Sequence, residues 1–425
     1  MILAAAASRS AMGQVFESTV SARSLQLPDQ VKEERENARF RLGAVRLMPY
    51  LNLKDVGYIN NVVENAAGEK LADYTATVAP GARFLIPFGQ KVVLRAGAES
   101  AYYWWKDLTY LRGWGITGDG QVLGLFNRLT IGAEGRYADT IQLLNSEGNV
   151  RTHQKQSSGD AAVEVEVLRR LSVFGRYEAV QTRLDDSGFA EPGQGLSQVL
   201  DRTEYGARGG LRYRFDARFS VGAMGQWTKA QFVNEPVDRD NEGFGALVSV
   251  RYDRERFYVE LTGGYQQAKG MYEQGVFPEY RTGTYTYFVS YFVAKQVELQ
   301  VSGWRRPQYS YYLDNPYFFE TRNGAALNFG LGHHVMLGGN FSLGTNAYPV
   351  EVLAGSTLVR RRDDAVTVGG TLGFVLTPTM NLAVNVRSDR YTSNVSGIDR
   401  SVLTVSGGVN WNFGMLRVGA GARTQ

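Results

Sequence analysis

The amino-acid sequence predicts an all-β protein, a transmembrane antiparallel up-and-down β-barrel of about 18 strands. Three observations predict it. Apolar and polar residues alternate along many segments, short and long connections alternate between those segments, and each segment has roughly ten to fourteen residues, enough for a tilted membrane crossing. Since every segment has one apolar and one polar face, an antiparallel sheet with two chemically different faces follows.

The composition of the 425 residues excludes several other classes of protein. There is no Cys, which excludes a disulfide framework, a thiolate metal site and a Cys nucleophile. The 46 Lys and Arg against 42 Asp and Glu give a net charge of +4, too balanced for a nucleic-acid-binding protein. No stretch of 18 apolar residues exists, which excludes a membrane-spanning helix. Aromatic residues make up 12%, which argues against disorder.

The alternation has a strict period of two residues. In Arg256–Gln267, Val259 and Leu261 alternate with Glu260 and Thr262, so that neighbouring side chains point to opposite faces of a strand. No segment of comparable length shows the helical period, apart from a short polar piece near 30–39. The same two-residue period is found over Val163–Val167, Tyr205–Phe215 and Leu403–Phe413.

The connections fall into two classes that alternate along the chain. Short connections are predicted at Phe88–Lys91, Phe126–Arg128, Arg169–Arg170, Asp216–Arg218, Asp253–Arg256, Ala294–Gln296, Gly332–His334 and Thr377–Met380. Longer polar connections are predicted at Asn61–Ala72, Lys106–Arg112, Asn145–Ser157, Asp185–Asp201, Asn234–Asn241, Lys269–Tyr280, Arg306–Tyr317, Thr345–Arg360 and Thr392–Arg400. Barrels of the outer membrane have short periplasmic turns and longer outer loops. A soluble β-sandwich or lipocalin-like protein is the alternative, but a ring of about 18 strands is too wide for its own side chains to fill.

The predicted domain organisation has three parts. Residues 1–13 resemble the tail of a signal peptide, with a disordered arm as the alternative, and the polar residues 14–40 are predicted to form a periplasmic N-terminal arm. Residues 41–425 are predicted to form the outer-membrane β-barrel. Trp411–Phe413 looks like a closing strand, but alternation continues beyond it, so the predicted strand number can change by one or two.

Three segments resemble outer-membrane β-barrel porins, of the kind sometimes encoded with exopolysaccharide secretion systems. They are Val45–Val62, Tyr74–Phe84 and Asn127–Tyr137. The resemblance implies a location in the bacterial outer membrane and a role in export. It carries over no catalytic or binding residue.

The sequence gives no support for an enzyme, a cofactor or a metal site. Its three His are His153, predicted in a long outer loop near Asp160, and His333 and His334, predicted in a periplasmic turn. Nothing in their spacing brings a His and an acid to one cleft. Gly118–Gly120 lacks the further carboxylates of a calcium loop.

The polar register of the strands predicts the charged side chains that line the lumen. An Arg or Lys on the lipid face costs ~2–4 kcal/mol at the midplane, so the pleat directs charges inward. Mixed rows of Arg and Glu suit hydrated polar solutes, whereas rings of one sign would select ions. Arg212 and Arg214 lie on one face of a strand and predict a local positive patch, unless a carboxylate or a bound anion intervenes. The candidates are Arg83, Arg95, Glu99, Glu134, Arg136, Glu164, Glu166, Arg176, Glu178, Arg208, Arg212, Arg214, Arg251, Glu260, Glu298, Arg322 and Arg387.

Aromatic residues cluster at strand ends and in predicted outer loops. One interpretation is an interfacial girdle at the level of the lipid headgroups. The other is a set of rings that stack on sugars at the pore entrance. The candidates are Tyr102, Tyr103, Trp104, Trp105, Tyr309, Tyr311 and Tyr312.

Together these features predict an outer-membrane pore for polar solutes, above all for export or uptake of polysaccharide or oligosaccharide. The alternative is a plugged structural barrel that anchors a periplasmic secretion complex. The expected partners are outer-membrane lipid, a periplasmic export-complex protein and a polysaccharide, and not nucleic acid. A water-filled lumen conducts ions and a plugged one does not, so conductance separates the two hypotheses.

Overall fold

The computed structural model describes residues 34–64, 70–89, 91–185, 195–233, 238–273, 275–332, 334–354 and 356–415. The predicted signal-peptide remnant (1–13) and most of the predicted arm (14–40) lie outside these residues, as does the segment after 415. In the described part of the chain, no helix has the length and apolar character needed to cross a membrane.

Almost all of the described residues belong to one antiparallel sheet of 19 strands. A 3-10 turn at Thr109–Leu111 and a short helix α1 at Leu196–Leu200 lie in two of the longer connections. The strands are β1 Phe40–Leu42, β2 Val45–Glu64, β3 Lys70–Phe88, β4 Val92–Trp105, β5 Gly113–Leu125, β6 Leu129–Leu143, β7 Arg151–Leu168, β8 Leu171–Leu184, β9 Arg202–Arg214, β10 Phe219–Phe232, β11 Asn241–Arg254, β12 Phe257–Gly270, β13 Tyr280–Ala294, β14 Val297–Tyr309, β15 Tyr317–Leu331, β16 Val335–Ala354, β17 Thr357–Thr377, β18 Met380–Ser393 and β19 Arg400–Trp411.

The sheet closes on itself. Each of β2 to β19 pairs with its neighbours in sequence, and β19 pairs with β2 through partners such as Val405 and Tyr58. The short strand β1 is not part of the closed ring. It pairs only with the start of β2, and the two strands are joined by a turn at Gly43, whose φ is +61°. The predicted antiparallel barrel of about 18 strands is therefore confirmed. Closure leaves no free edge in the membrane-spanning region.

The predicted loop at Thr345–Arg360 is wrong. The stretch Thr345–Arg360 is mostly strand, since β16 and β17 continue through it and pair Glu351 with Arg360 and Leu353 with Leu358. The alternating pattern continues here, and the pairing is interrupted only near Pro349, which has no N–H to donate and is tolerated at an irregularity. Strands β2 to β19 are 12 to 21 residues long, somewhat longer than predicted, because several continue beyond the membrane as paired ribbons.

The two faces of the barrel differ as the alternation predicts. On β9, Leu211 is 51% exposed and Arg212 is 8% exposed, and on β7 the side chains of Val163 and Val165 are similarly open while Glu164 is ion-paired. Solvent-open apolar side chains on a closed barrel point outward. The apolar face therefore surrounds the barrel, as it does in proteins that cross a membrane with strands.

A belt of aromatic rings surrounds part of the barrel at the end with the short turns. Successive ring centres lie 4.9 to 6.5 Å apart. Amphipathic rings at this level of a membrane protein sit among the lipid headgroups. The belt runs through Tyr213, Phe215, Phe219, Tyr252, Phe257 and Tyr291.

Candidate functional site

The connection between β6 and β7, residues 144–150, folds into the barrel and is called the inner loop here. Arg400 on β19 donates one hydrogen bond to the carbonyl oxygen of Glu147 (2.6 Å) and a second to that of Ser146. The side-chain amide of Asn346 on β16 also donates to the Ser146 carbonyl (3.2 Å). Because β16 and β19 are far from β6 and β7 around the ring, the inner loop spans the interior.

The carboxylate of Glu147 is buried inside this arrangement. It is 1% exposed and accepts hydrogen bonds from the Ser310 hydroxyl (2.6 Å), the Tyr311 backbone N–H (3.0 Å) and the Asn145 side chain (3.0 Å). Burial raises the pKa of Glu147, and the Ser310 hydroxyl and Arg361 guanidinium oppose this only in part. The loop is therefore held at its centre by a carboxyl group that is unfavourably desolvated when charged.

The connection between β14 and β15, residues 310–316, packs against the inner loop. Arg239, which is 1% exposed, donates to the carbonyl oxygens of Ser310 (2.8 Å) and Tyr312. Tyr311 lies so close to Gly148 that a Cβ atom there would be 2.5 Å from the Tyr311 hydroxyl. A side chain at this position would therefore require the Tyr311 ring to shift. The two loops with Arg239, Asn346 and Arg400 are called the clamp below.

The inner loop has a local reason to turn tightly. The Asn145 side-chain oxygen accepts the Glu147 N–H (2.9 Å), an Asx turn that bends the chain, and the Leu144 N–H donates to the Val150 carbonyl (2.9 Å). These bonds make a compact turn with polar side chains on its tip. Its position inside the barrel depends on the distant partners in the clamp.

A cavity of about 440 Å³ lies beside the inner loop. It is bounded by β7 and β8 on one side and by β14 to β18 on the other, so it belongs to the barrel interior. Its walls carry amide, hydroxyl and guanidinium groups together with apolar side chains such as Leu184 and Leu200, and one indole ring. Residues that line it include Thr182, Gln300, Trp304, Arg322, Asn340 and Arg387.

A second, smaller cavity of about 130 Å³ lies between the walls from β5 to β12 and is bordered by ion pairs. The Glu164 carboxylate forms ion pairs with both Arg212 (2.6 Å) and Arg214 (2.7 Å). The predicted local positive patch is therefore wrong, because a carboxylate from β7 reaches across β8 to both guanidinium groups on β9. Arg214 also lies 3.7 Å from Glu166.

The other charged candidates are held in a similar way. Near the short-turn end, Glu99 binds Lys54 (2.7 Å), Arg95 binds Glu34 (2.7 Å) and Arg83 lies over the Tyr50 ring (5.6 Å). Elsewhere the contacts are Arg136 with Glu134, Arg176 with Asp160 and Glu178, Arg251 with Asp253, Glu260 with Tyr258, Glu298 with Ser290, Arg322 with Asn346, and Arg387 with Asp389. Arg208 lies opposite Arg176 in the strand register, close to the carboxylates of Glu178 and Asp160.

The aromatic candidates of β4 divide between two environments. Tyr102 packs on Trp114, which is 63% exposed, and Trp104 lies beneath Arg112 on the same outer face. Trp105 is 4% exposed and belongs to a buried apolar cluster with Leu111. Tyr103 lies beside that cluster.

The aromatic candidates near β14 are in and around the clamp. The Tyr309 hydroxyl donates to Asn241 (3.2 Å), and the Tyr309 ring packs beneath Arg202 (5.0 Å). Tyr311 and Tyr312 pack on each other with ring centres 4.5 Å apart. The two rings thus stabilise the loops that form the clamp.

The sequence missed most of the clamp. Glu147, Arg239, Asn346, Arg361 and Arg400 are buried and polar, but none of them was a candidate. Asn-Ser-Glu-Gly-Asn at 145–149 is an ordinary turn composition, and its partners lie up to 254 residues away. No local signal identifies them.

The histidines do not form a site in the described structure. His153 lies within β7 and not in the predicted outer loop, and its Nδ1 is 3.3 Å from Asp139 rather than near Asp160. His334 is in a short turn with Nδ1 3.2 Å from the Val375 carbonyl, and His333 lies outside the described residues. Within the described ranges, no group of three or more His, Asp and Glu side chains is placed to hold a metal ion.

The comparisons with known proteins give structural similarity only. The sequence matches no protein-family model and no curated protein. OccK2 (OpdF) of Pseudomonas aeruginosa, solved in complex with glucuronate, is 13% identical with a TM-score of 0.48, covering 87% of this chain and 98% of its own. A BenF-like porin from Pseudomonas fluorescens Pf-5 is 12% identical, with a TM-score of 0.48 and the same coverage.

A bacterial polysaccharide outer membrane secretin is also similar, at 10% identity and a TM-score of 0.35, covering 86% of this chain and 98% of its own. Identities this low and scores under 0.5 assign neither a family nor a solute to this chain. The barrel itself is more informative. A closed ring of 18 antiparallel strands with an apolar outer face, an aromatic belt and alternating short and long connections belongs in the bacterial outer membrane.

Proposed function

We propose that the protein is a passive pore that carries hydrated polar solutes across the outer membrane. The observation that carries the proposal is the clamp. The inner loop is fixed across the barrel by Arg400 and Asn346, and it leaves a polar cavity beside it instead of filling the interior. A rigid constriction beside a water-accessible cavity restricts passage by size without closing the lumen.

The charges on the inner face support a preference for polar rather than strongly ionic solutes. Most of the charged side chains described above have a partner of opposite sign, which for Arg387 is Asp389 on the same strand and for Arg212 is Glu164 two strands away. Such mixed rows produce a transverse field, whereas selective ion channels use rings of one sign. Weak ion selectivity is the expected result.

The finer proposal is passage of an oligosaccharide or polysaccharide. The amide and hydroxyl groups of the cavity beside the inner loop are suited to the hydroxyls of sugars. The clamp sets a limit on thickness, so a flexible single chain would have to thread past the inner loop. Swelling of liposomes containing the protein, measured with neutral oligosaccharides of increasing length, tests this. If monosaccharides cause swelling and every longer oligosaccharide fails to, the pore passes monosaccharides only and the finer proposal is wrong.

A plugged structural barrel is the second candidate, and one observation favours it. The segment just before β1 lies against the inner wall, where Glu34 binds Arg95 (2.7 Å) and Ala38 is fully buried beside Met48 and Met415. A barrel closed in this way would serve as an anchor for a periplasmic export complex.

Conductance in planar bilayers separates the two functions. Discrete conductance steps from the whole protein would support the pore, and folded protein that never conducts would support the plugged anchor. Copurification of a periplasmic protein that depends on the Glu34 segment would further support the anchor.

A further inference from the structure

Trp304 on β14 is a fixed aromatic surface inside the barrel. Its indole N–H donates to Glu320 on β15 (3.1 Å), and the Arg306 guanidinium lies 5.2 Å from the ring centre. Arg306 is itself bound to Glu320 (3.3 Å), so the three side chains hold one another. The ring also lines the cavity beside the inner loop. A ring whose orientation is already fixed loses little conformational freedom when a ligand stacks on it.

Polar side chains on the wall that carries Trp304 also line the cavity. Gln300 and Ser302 stand on the same face of β14 as Trp304, since alternate residues of a strand share a face. Asn340 on β16 completes the wall. Amide and hydroxyl groups of this kind both donate and accept hydrogen bonds, as the hydroxyls of a sugar require.

The charges around the cavity are matched. Arg202 lies 2.9 Å from Glu204, Arg322 lies 3.4 Å from Glu320, and Arg387 lies 2.7 Å from Asp389. Each of the described guanidinium groups that lines the cavity thus lies beside a carboxylate, which Arg322 shares with Arg306. A carboxylated or phosphorylated ligand would have to displace one of these carboxylates, whereas an uncharged ligand would not.

From this arrangement we propose that the cavity holds a binding subsite for a neutral saccharide. One face of a sugar ring stacks on Trp304, and its hydroxyls bond to Gln300, Ser302 and Asn340. The subsite deepens the proposed function, because it names the class of solute and the place in the lumen where that solute pauses. It rests on the lumen being open to that solute.

The experiment uses the whole protein in planar bilayers with maltotriose, a neutral glucose trimer, as the probe. Transient block of the ion current gives its dissociation constant. Trp304→Ala should raise this constant about tenfold, and Trp304→Phe, which keeps a ring, should recover part of the loss. Gln300→Leu should weaken binding severalfold. Trp114→Ala is the matched control, because Trp114 lies on the outer face and is 63% exposed.

A trimer of galacturonic acid serves as the charged counterpart and should bind at least tenfold more weakly than maltotriose. Equal block in wild type and Trp304→Ala, or tighter binding of the charged trimer, would overturn the subsite while leaving the pore in place. Calorimetry in detergent measures sugar binding independently of conductance. Tight maltotriose binding that depends on Trp304, in a protein that never conducts, would support the subsite and refute the pore.

Discussion

Arg400 donates a hydrogen bond to the backbone carbonyl of Glu147 at 2.6 Å, across 253 residues of sequence. One residue begins the last strand of the barrel, and the other lies at the centre of the inner loop. Both residues are buried, since Arg400 is 5% exposed and Glu147 is 1% exposed. Hydrogen bonds from a charged donor contribute about 1.5–3 kcal/mol each, so this contact can fix the loop across the lumen.

Replacement of Arg400 by Ala should release the inner loop. The variant loses both bonds to the Ser146 and Glu147 carbonyls, at a cost of about 3 kcal/mol or more if each is worth about 1.5. We expect larger and noisier single-channel conductance than in wild type. Arg390→Ala is the control, since Arg390 is exposed near the end of β18. Unchanged conductance in correctly folded Arg400→Ala would mean that the loop is held by other contacts.

Acid should tighten the inner loop. Burial raises the pKa of Glu147 above its ordinary value of 4.5, despite the nearby Arg361, so the docked loop holds a proton more tightly than a released loop does. Docking is therefore favoured most below the ordinary pKa and weakens as the pH rises toward the raised pKa. Tyr311 and Tyr348 also face this carboxyl. Burial raises the pKa of Tyr311 well above its ordinary value of 10.0, so its hydroxyl stays protonated over that range.

The corresponding measurement is current noise against pH, in wild type and in Glu147→Gln. Wild-type fluctuations should grow as the pH rises above 4.5, and those of the neutral variant should stay low and flat. Matching pH profiles in the two proteins would show that another group controls the loop.

The register predicts opposite effects of one new charge on the two faces. Val248 is 53% exposed on the outer face, midway between Phe244 and Tyr252, so Val248→Arg should cost ~2–4 kcal/mol and impair assembly. Thr262→Arg on the adjacent strand lies on the inner face, beside the smaller cavity, and should fold normally. Heat-modifiable migration in gels reports folding. The reverse result would mean that the two faces of these strands are exchanged.

The topology can be tested with single cysteines, because the chain contains none. Ser356 is exposed at the tip of the β16–β17 ribbon, and Glu255 is exposed in a short turn at the other end. A maleimide that does not cross membranes should label Ser356→Cys in whole cells and leave Glu255→Cys unlabelled until the cells are opened. If only Glu255→Cys were labelled in whole cells, the barrel would have the opposite orientation in the membrane.

Alternation along each strand was sufficient to predict the barrel and which residues share a face. Leu211 and Arg212 illustrate this, because a period of two assigns neighbours to opposite faces without any knowledge of their partners. Short connections were predicted well for the same reason. The error at Thr345–Arg360 arose where Pro349 interrupts the pairing and the ribbon continues beyond the membrane.

The interior could not be predicted in the same way. Ser146 and Glu147 bond to Ser310, Asn346 and Arg400, and these contacts depend on how the closed barrel places distant strands opposite one another. Glu164 likewise reaches over a whole strand to Arg212, so a two-residue period cannot show that it neutralises that charge. Ion pairing inside a barrel depends on register and side-chain reach together.

Single-channel recording of the whole purified protein in planar bilayers tests the central claim most directly. A barrel whose inner loop narrows the lumen without filling it should give discrete, ohmic conductance steps with weak ion selectivity. Folded, heat-modifiable protein that inserts into the bilayer and never produces such steps would contradict it.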